Sequence, residues 1–396
     1  MGAALISPAA PFAALALVLP LLAIVSPAAT VPALLAAALW AGALHWRRRD
    51  GWPALPRTPL VLLVLLLAWA AVASAWTFDP GRAIVLVLRL AAVYGAGLYL
   101  WTRTQGLDGD ARAAVASALA GGLTIAVLFL LEERLLGTPL FNLRSGPPAD
   151  AYEQFSRFNR GATALALLVW PVAADLWRRQ LGPWALAVPL LLLGLLLSFE
   201  SNAAILGLAG GLAVVGLGLL ERRLARALAL LALAVALFAT PLIAGLMAGA
   251  DWHEAEWLPR TAAQRVFIWG FTAERILEQP LFGWGFDAAR NMPNFETAPL
   301  FHQDSIIPLH PHNGALQILL ELGYLGAAIA GLLLGWLILA LRRAGKVDEL
   351  CGLGLFVAAL AVALTAYGLW QTKWQALLVL AFVLFAAVRA DQPQGR

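Results

Sequence analysis

Apolar runs near twenty residues recur along the whole chain, separated by short polar connections. Each is long enough to cross roughly 30 Å of hydrocarbon as a helix, at about 1.5 Å per residue. Twelve such runs lie near 9–27, 30–45, 59–76, 83–101, 112–131, 161–177, 183–198, 203–220, 227–248, 313–341, 350–369 and 374–389. Strict alternation over about ten residues, the mark of a membrane β-barrel, is absent. The pattern predicts an all-α polytopic membrane protein of about twelve transmembrane helices. It forms one integral membrane domain over residues 1–396.

Two connections break the rhythm, 132–160 and 249–312. Loops beyond roughly 15 residues usually carry function or are disordered. The second is rich in Trp, Phe and Pro and is predicted to fold. Within it, Val266, Trp269, Phe271, Ala273 and Ile276 alternate with Arg265, Glu274, Arg275 and Glu278, which predicts an amphipathic helix over 261–279. Pro280 stops it, and Gly283 and Gly285 form a turn.

Composition agrees with the pattern. Hydrophobic residue types make up 61% of the 396 residues and charged types 13%, about half the charge of a soluble domain. The net charge of +4 comes from arginine. In such a chain the excess sets topology and gives no reason to expect nucleic acid as a partner. The clusters at Arg47–Arg49, Arg178–Arg179, Arg222–Arg226 and Arg342–Lys346 fall on alternate connections, so both termini and these clusters are expected on the cytoplasmic side. The long connections 132–160 and 249–312 are then periplasmic. The first apolar run has no basic segment before it and is expected to be a retained span. The single cysteine, Cys351, excludes an intrachain disulfide and a cysteine-based metal cluster.

Four groups of polar residues carry candidate chemistry. His310, Pro311, His312 and Asn313 stand at the mouth of the tenth span. A histidine there can exchange a proton near neutral pH, or the segment is a helix start with Asn313 as its N-cap. Arg265 and Arg275 lie on the loop helix. Arginine matches phosphate oxygens, and Arg265 has no acidic residue three or four positions away, whereas Glu274 and Glu278 offer Arg275 an ordinary ion pair. Ser198 to Asn202 joins two spans and is either functional or a turn. Arg89 lies within the fourth span and either faces a polar cavity or snorkels to the interface. A metal site from His253, His302, Asp304, His310 and His312 is disfavoured, because Pro311 stiffens the chelate and no helical His pair exists.

Taken together, Arg265-Val-Phe-Ile-Trp269, Pro280-Leu-Phe-Gly283-Trp-Gly285, His310-Pro-His312-Asn313 and Glu321-Leu-Gly323-Tyr-Leu-Gly326 resemble the O-antigen ligase family of bacterial inner membranes, in order and spacing. That superfamily includes lipopolysaccharide O-antigen ligases, O-antigen polymerases and protein O-oligosaccharyltransferases. The resemblance implies a GT-C-like, metal-independent glycosyltransferase needing no cofactor. Its donor would be an undecaprenyl-pyrophosphate-linked glycan, its acceptor a hydroxyl of lipid A-core or another molecule, and it would work among membrane lipids at the periplasmic face. It implies catalytic roles for Arg265 and His312; His310, Asn313, Arg275 and Arg89 are substrate-binding candidates from their own positions and chemistry. Asn202 is a further candidate, at a position where the family usually has arginine. A transporter or flippase of lipid-linked glycans is the alternative from another class.

Overall fold

The computed structural model describes residues 7–49, 51, 55–148, 151–199, 201–295 and 305–389. These are helical, with no strand among the described residues. Each predicted span is met by helix. In chain order the helices are α1 Ala10–Val25, α2 Thr30–Arg48, α3 Arg57–Ala73, α4 Pro80–Thr104, α5 Gly109–Leu136, the short α6 Pro139–Ser145 and α7 Ala151–Ser156, then α8 Asn159–Arg178, α9 Gly182–Leu197 and α10 Asn202–Leu220. The ninth span is α11 Arg222–Ala234 and α12 Thr240–Gly249, joined by a wider π turn over Val235–Ala239. Pro241 explains that turn: it has no N–H to give, and its ring would clash with the carbonyl one turn earlier. The loop helix α13 is Arg260–Glu278, and beyond it come α14 Gly314–Leu341, α15 Lys346–Thr365 and α16 Thr372–Val388.

Among the described residues, seven helical segments are long and apolar enough to cross a membrane, and α1, α3, α9 and α16 are shorter apolar helices. The remaining predicted span, α8, is the pillar of the bundle. Every residue from Gly161 to Ala174 is buried, although the helix carries a proline. Close packing there depends on small residues: a Cβ at Gly211 of α10 would stand 2.3 Å from the Trp170 ring and 2.8 Å from the Gly354 carbonyl.

Two apolar cores result. One surrounds α8 and includes Phe12, Phe158, Trp170 and Phe199. The other joins α3, α11, α13, α14 and α15 and includes Phe271, Ile276, Phe286, Leu316 and Trp370. Arg265, His310, His312 and Asn313 sit beside the second core, at the end of the bundle where α14 begins. At the opposite end, arginines cap helix termini and pair with acids. Arg112 donates to the Ala386 carbonyl of α16 (3.0 Å), Arg178 pairs with Asp348, and Arg222 and Arg226 both pair with Glu349.

Candidate active site

The loop helix was legible as predicted: Val266, Phe271, Ala273 and Ile276 are buried and Trp269 is half-buried. The segment after it, 280–285, has a role that its turn residues alone did not reveal. Helix α14 is broken at Gly323 (φ +64°, ψ −171°), a conformation essentially reserved for glycine. At the break, four backbone groups of α14 pair with the segment 280–285. Trp284 N donates to Leu320 O (2.8 Å), Gly285 N to Glu321 O (3.1 Å), Tyr324 N to Pro280 O (2.8 Å) and Leu325 N to Leu281 O (3.2 Å). Trp69 Nε1 satisfies the Leu322 carbonyl at 2.9 Å, and Trp76 Nε1 donates to Gly283 O at 3.1 Å. An unmatched backbone group in hydrocarbon costs several kcal/mol, so loop and broken helix stabilise each other. Side chains at Gly283 and Gly323 are excluded by backbone: a Cβ would stand 2.6 Å from Glu321 C and 2.3 Å from Leu281 O respectively.

Glu321 is the hub of this junction. It is fully buried and accepts from Gln317 Nε2 (3.0 Å), Asp287 N (3.0 Å) and Trp370 Nε1 (2.7 Å). Gln317 in turn accepts from Leu369 N at 2.7 Å. The junction is thereby tied to residues 366–371, which connect α15 to α16 and close over the histidines. Arg82 pairs with Asp287 at 2.6 Å and fixes the start of α4 to the same assembly.

The His-Pro-His segment is held on both sides. Trp269 of α13 donates to Pro311 O at 2.9 Å. Asn313 caps α14, its Oδ1 accepting from Ala315 N (3.0 Å) and Leu316 N (3.1 Å). Its side-chain oxygen is therefore engaged by its own helix, as the N-cap alternative required. His312 takes a positive φ of 54°, uncommon outside glycine. Its ring lies 4.3 Å from that of His310, centre to centre.

The hydrogen bonds fix the tautomers. His312 Nδ1 lies 3.1 Å from the Ala366 carbonyl. A carbonyl only accepts, so Nδ1 carries the proton and Nε2 keeps a free lone pair in the neutral ring. His310 Nδ1 accepts from the His312 backbone N–H at 3.2 Å. Its own proton therefore lies on Nε2, 3.3 Å from the Gln371 amide, which requires that amide to present its oxygen. Both rings are held neutral. Burial pushes His310 down to about 3, helped by the proximity of the His312 ring, with which it cannot share a second proton, and by the charge of Arg290. Burial also lowers His312, the Ala366 bond opposes it, and the charge of Arg265 lowers it further.

Arg265 and His312 are thus near enough to influence each other, though 47 positions apart in the chain. Arg265 is half-buried and engaged within the protein. The absence of an acidic residue one turn away therefore did not leave it without a partner. Arg275 takes the ordinary ion pair, 2.7 Å to Glu278, with its guanidinium over Phe295 (4.6 Å). Asn202 is exposed at the start of α10, and Arg89 is exposed on the same face of α4 as Val85 and Leu88. Neither shares a hydrogen bond, ion pair or ring contact with Arg265 or His312 among the described residues. His302 and Asp304 lie outside the described residues, and the His253 ring lies tilted against Phe267 (5.6 Å between centres).

Three contributors escaped the sequence reading. Arg290, beside His310, is half-buried, and its Nε is buried without a hydrogen-bond partner. Gln371 and the Ala366 carbonyl come from a connection more than 50 residues beyond the histidines. A lone arginine in a polar loop could have been flagged for Arg290, but a backbone carbonyl leaves no sequence signal. Behind the 366–371 connection, Arg160 and Lys373 line a further pocket with Tyr367 and Trp374.

A comparison with known protein families falls on this region. Residues 186–331 match the family described as O-antigen ligase. That stretch contains Arg265, both histidines, Glu321 and the break at Gly323. Relatives named "Putative polysaccharide ligase" include three from Rickettsia species. One from Rickettsia typhi is 24% identical over 78% of this chain and 76% of its own length. One from Rickettsia prowazekii is 26% identical over 65% and 64%. One from Rickettsia bellii is 28% identical over 57% of each.

Proposed function

We propose, for a chain whose residues 186–331 match the O-antigen ligase family, that it transfers a glycan from undecaprenyl pyrophosphate to a hydroxyl of lipid A-core. The observation carrying this reading is the meeting of a neutral histidine with a free Nε2 lone pair and two half-buried arginines, at the mouth of a membrane helix. A glycosyl pyrophosphate is already activated. The acceptor oxygen attacks C1 while His312 Nε2 takes its proton. The C1–oxygen bond to the pyrophosphate breaks and its electron pair stays on that oxygen. Arg265, with Arg290 beside the neighbouring ring, stabilises the developing charge in a partly dry pocket. Direct displacement inverts the anomeric centre.

The site faces the periplasm in this reading. Supporting it, the basic clusters at Arg178, Arg222–Arg226 and Arg342–Arg343 gather at the other end of the bundle, and basic connections favour the cytoplasm. The inner membrane is then the location, with both termini cytoplasmic.

The test is transfer by the purified full chain in detergent, from a defined glycan on lipid pyrophosphate to lipid A-core. Product on lipid A-core without any second compartment supports the ligase. Longer chains still on the carrier, with none on lipid A-core, would reassign it to a polymerase. No transfer to any hydroxyl acceptor would sink the enzymatic reading.

A further inference from the structure

A second charged cavity lies at the end of the bundle opposite the histidines. It has a volume of about 420 Å³, and five arginines line it: Arg222, Arg223, Arg226, Arg342 and Arg343. They come from two corners brought together by the fold, the α10–α11 junction and the α14–α15 junction. Among the described residues, two acids line the cavity. Glu349 is buried beneath Arg222 and Arg226 and pairs with both. Glu221 has one oxygen on the backbone N–H of Arg223, capping α11. Among the described lining residues, positive charges outnumber negative ones by three.

Guanidinium groups gathered in one concavity repel each other unless an anion joins them. Topology alone asks only for arginines on this side of the membrane and does not ask them to converge. The surroundings indicate which anion. Below the cavity, α11 exposes Leu224 (47%), Leu228 (43%) and Leu231 (56%), positions i, i+4 and i+7 of one stripe. Leu220, next to Glu221, is 85% exposed. The charged cavity therefore opens onto an apolar track running into the membrane. A ligand with a phosphate at one end and hydrocarbon at the other fits both parts, and basic pockets between transmembrane helices bind such headgroups. We propose that this cavity is a binding site for an anionic phospholipid, its phosphodiester between Arg223 and Arg342 and its acyl chains along the α11 leucines. No residue of the site formed by Arg265 and His312 takes part.

Native mass spectrometry of the full chain in detergent tests this, with phosphatidylglycerol titrated against phosphatidylcholine. Wild type should retain phosphatidylglycerol saturably and phosphatidylcholine only weakly. The double variant Arg223→Gln/Arg342→Gln leaves both Glu349 pairs intact and should weaken phosphatidylglycerol about 30-fold, since each arginine at a membrane surface contributes roughly fivefold. Its unfolding midpoint without added lipid should match wild type. If it misfolds, Arg342→Gln alone should weaken binding about fivefold. Equal retention by variant and wild type would overturn the proposal. So would displacement of the lipid by inorganic phosphate, which would make the cavity a site for a free anion.

Discussion

Replacing His312 by asparagine isolates the proposed base. Asparagine tolerates the positive φ of 54° better than alanine does, and its carboxamide N–H still points a donor toward the Ala366 carbonyl. What disappears is the Nε2 lone pair. A positioned base contributes about 10²–10⁴-fold in rate, or roughly 3–5.5 kcal/mol of barrier. The turnover number should fall on that scale while donor binding stays within about threefold of wild type, because the pyrophosphate is held by the arginines. The pH profile is a second signature. Burial and the charge of Arg265 lower His312 from its ordinary 6.5, so the ring stays a competent base through neutral pH. The wild-type rate should decline only on the acid side of that value, and this limb should be missing in His312→Asn. His310→Ala should lose much less, because the lone pair on His310 Nδ1 is already taken by the His312 backbone. The assay is turnover against pH for both variants, with donor binding measured separately by displacement of a labelled lipid pyrophosphate. Equal losses in the two, or lost donor binding in His312→Asn, would refute the assignment and move His312 to phosphate contact or structure.

Arg265→Ala should reduce turnover by about 10²–10³-fold, and Arg265→Lys should remain impaired because a point charge does not reproduce a two-pronged fork; full activity of the lysine variant would rule out bidentate binding. Arg290→Gln should weaken donor binding about tenfold, the scale of one charged hydrogen bond, and unchanged affinity would remove Arg290 from the site. Gly323→Ala forces a side chain into a glycine-only conformation, with its Cβ 2.3 Å from Leu281 O, at a cost of at least about 1–3 kcal/mol. It should lower the unfolding midpoint and abolish transfer without preventing insertion, and a wild-type midpoint would contradict the docked-loop geometry. Folding holds His310 at about 3 against an ordinary 6.5, so the unfolded chain takes that proton first. The stabilisation from its neutral ring is complete above 6.5 and lost as pH falls toward the lower value. The unfolding midpoint should therefore drop between about pH 7 and pH 5 in wild type and drop less in His310→Gln, as thermal scans would show.

Spans and loop helix were legible because their cause is local. A membrane helix needs a run of apolar residues of fixed length, and an amphipathic helix needs apolar residues at helical spacing, so the chain states both without reference to distant partners. Motif order placed Arg265, His310 and His312 in one loop region. The pairing of 280–285 with the break at Gly323 was not legible, since neither segment says which backbone groups it will satisfy. The tautomer of His312 depends on the carbonyl of Ala366, 54 positions away, and any residue there has the same carbonyl. Arg290 carries chemical weight only because the fold sets it beside His310, while Arg89 and Asn202 were flagged by type and turned out exposed. Hydropathy thus determined where the chain crosses the membrane. Tertiary packing decided which polar groups meet, because desolvation and hydrogen bonding are properties of neighbours in space, whatever their separation in the chain.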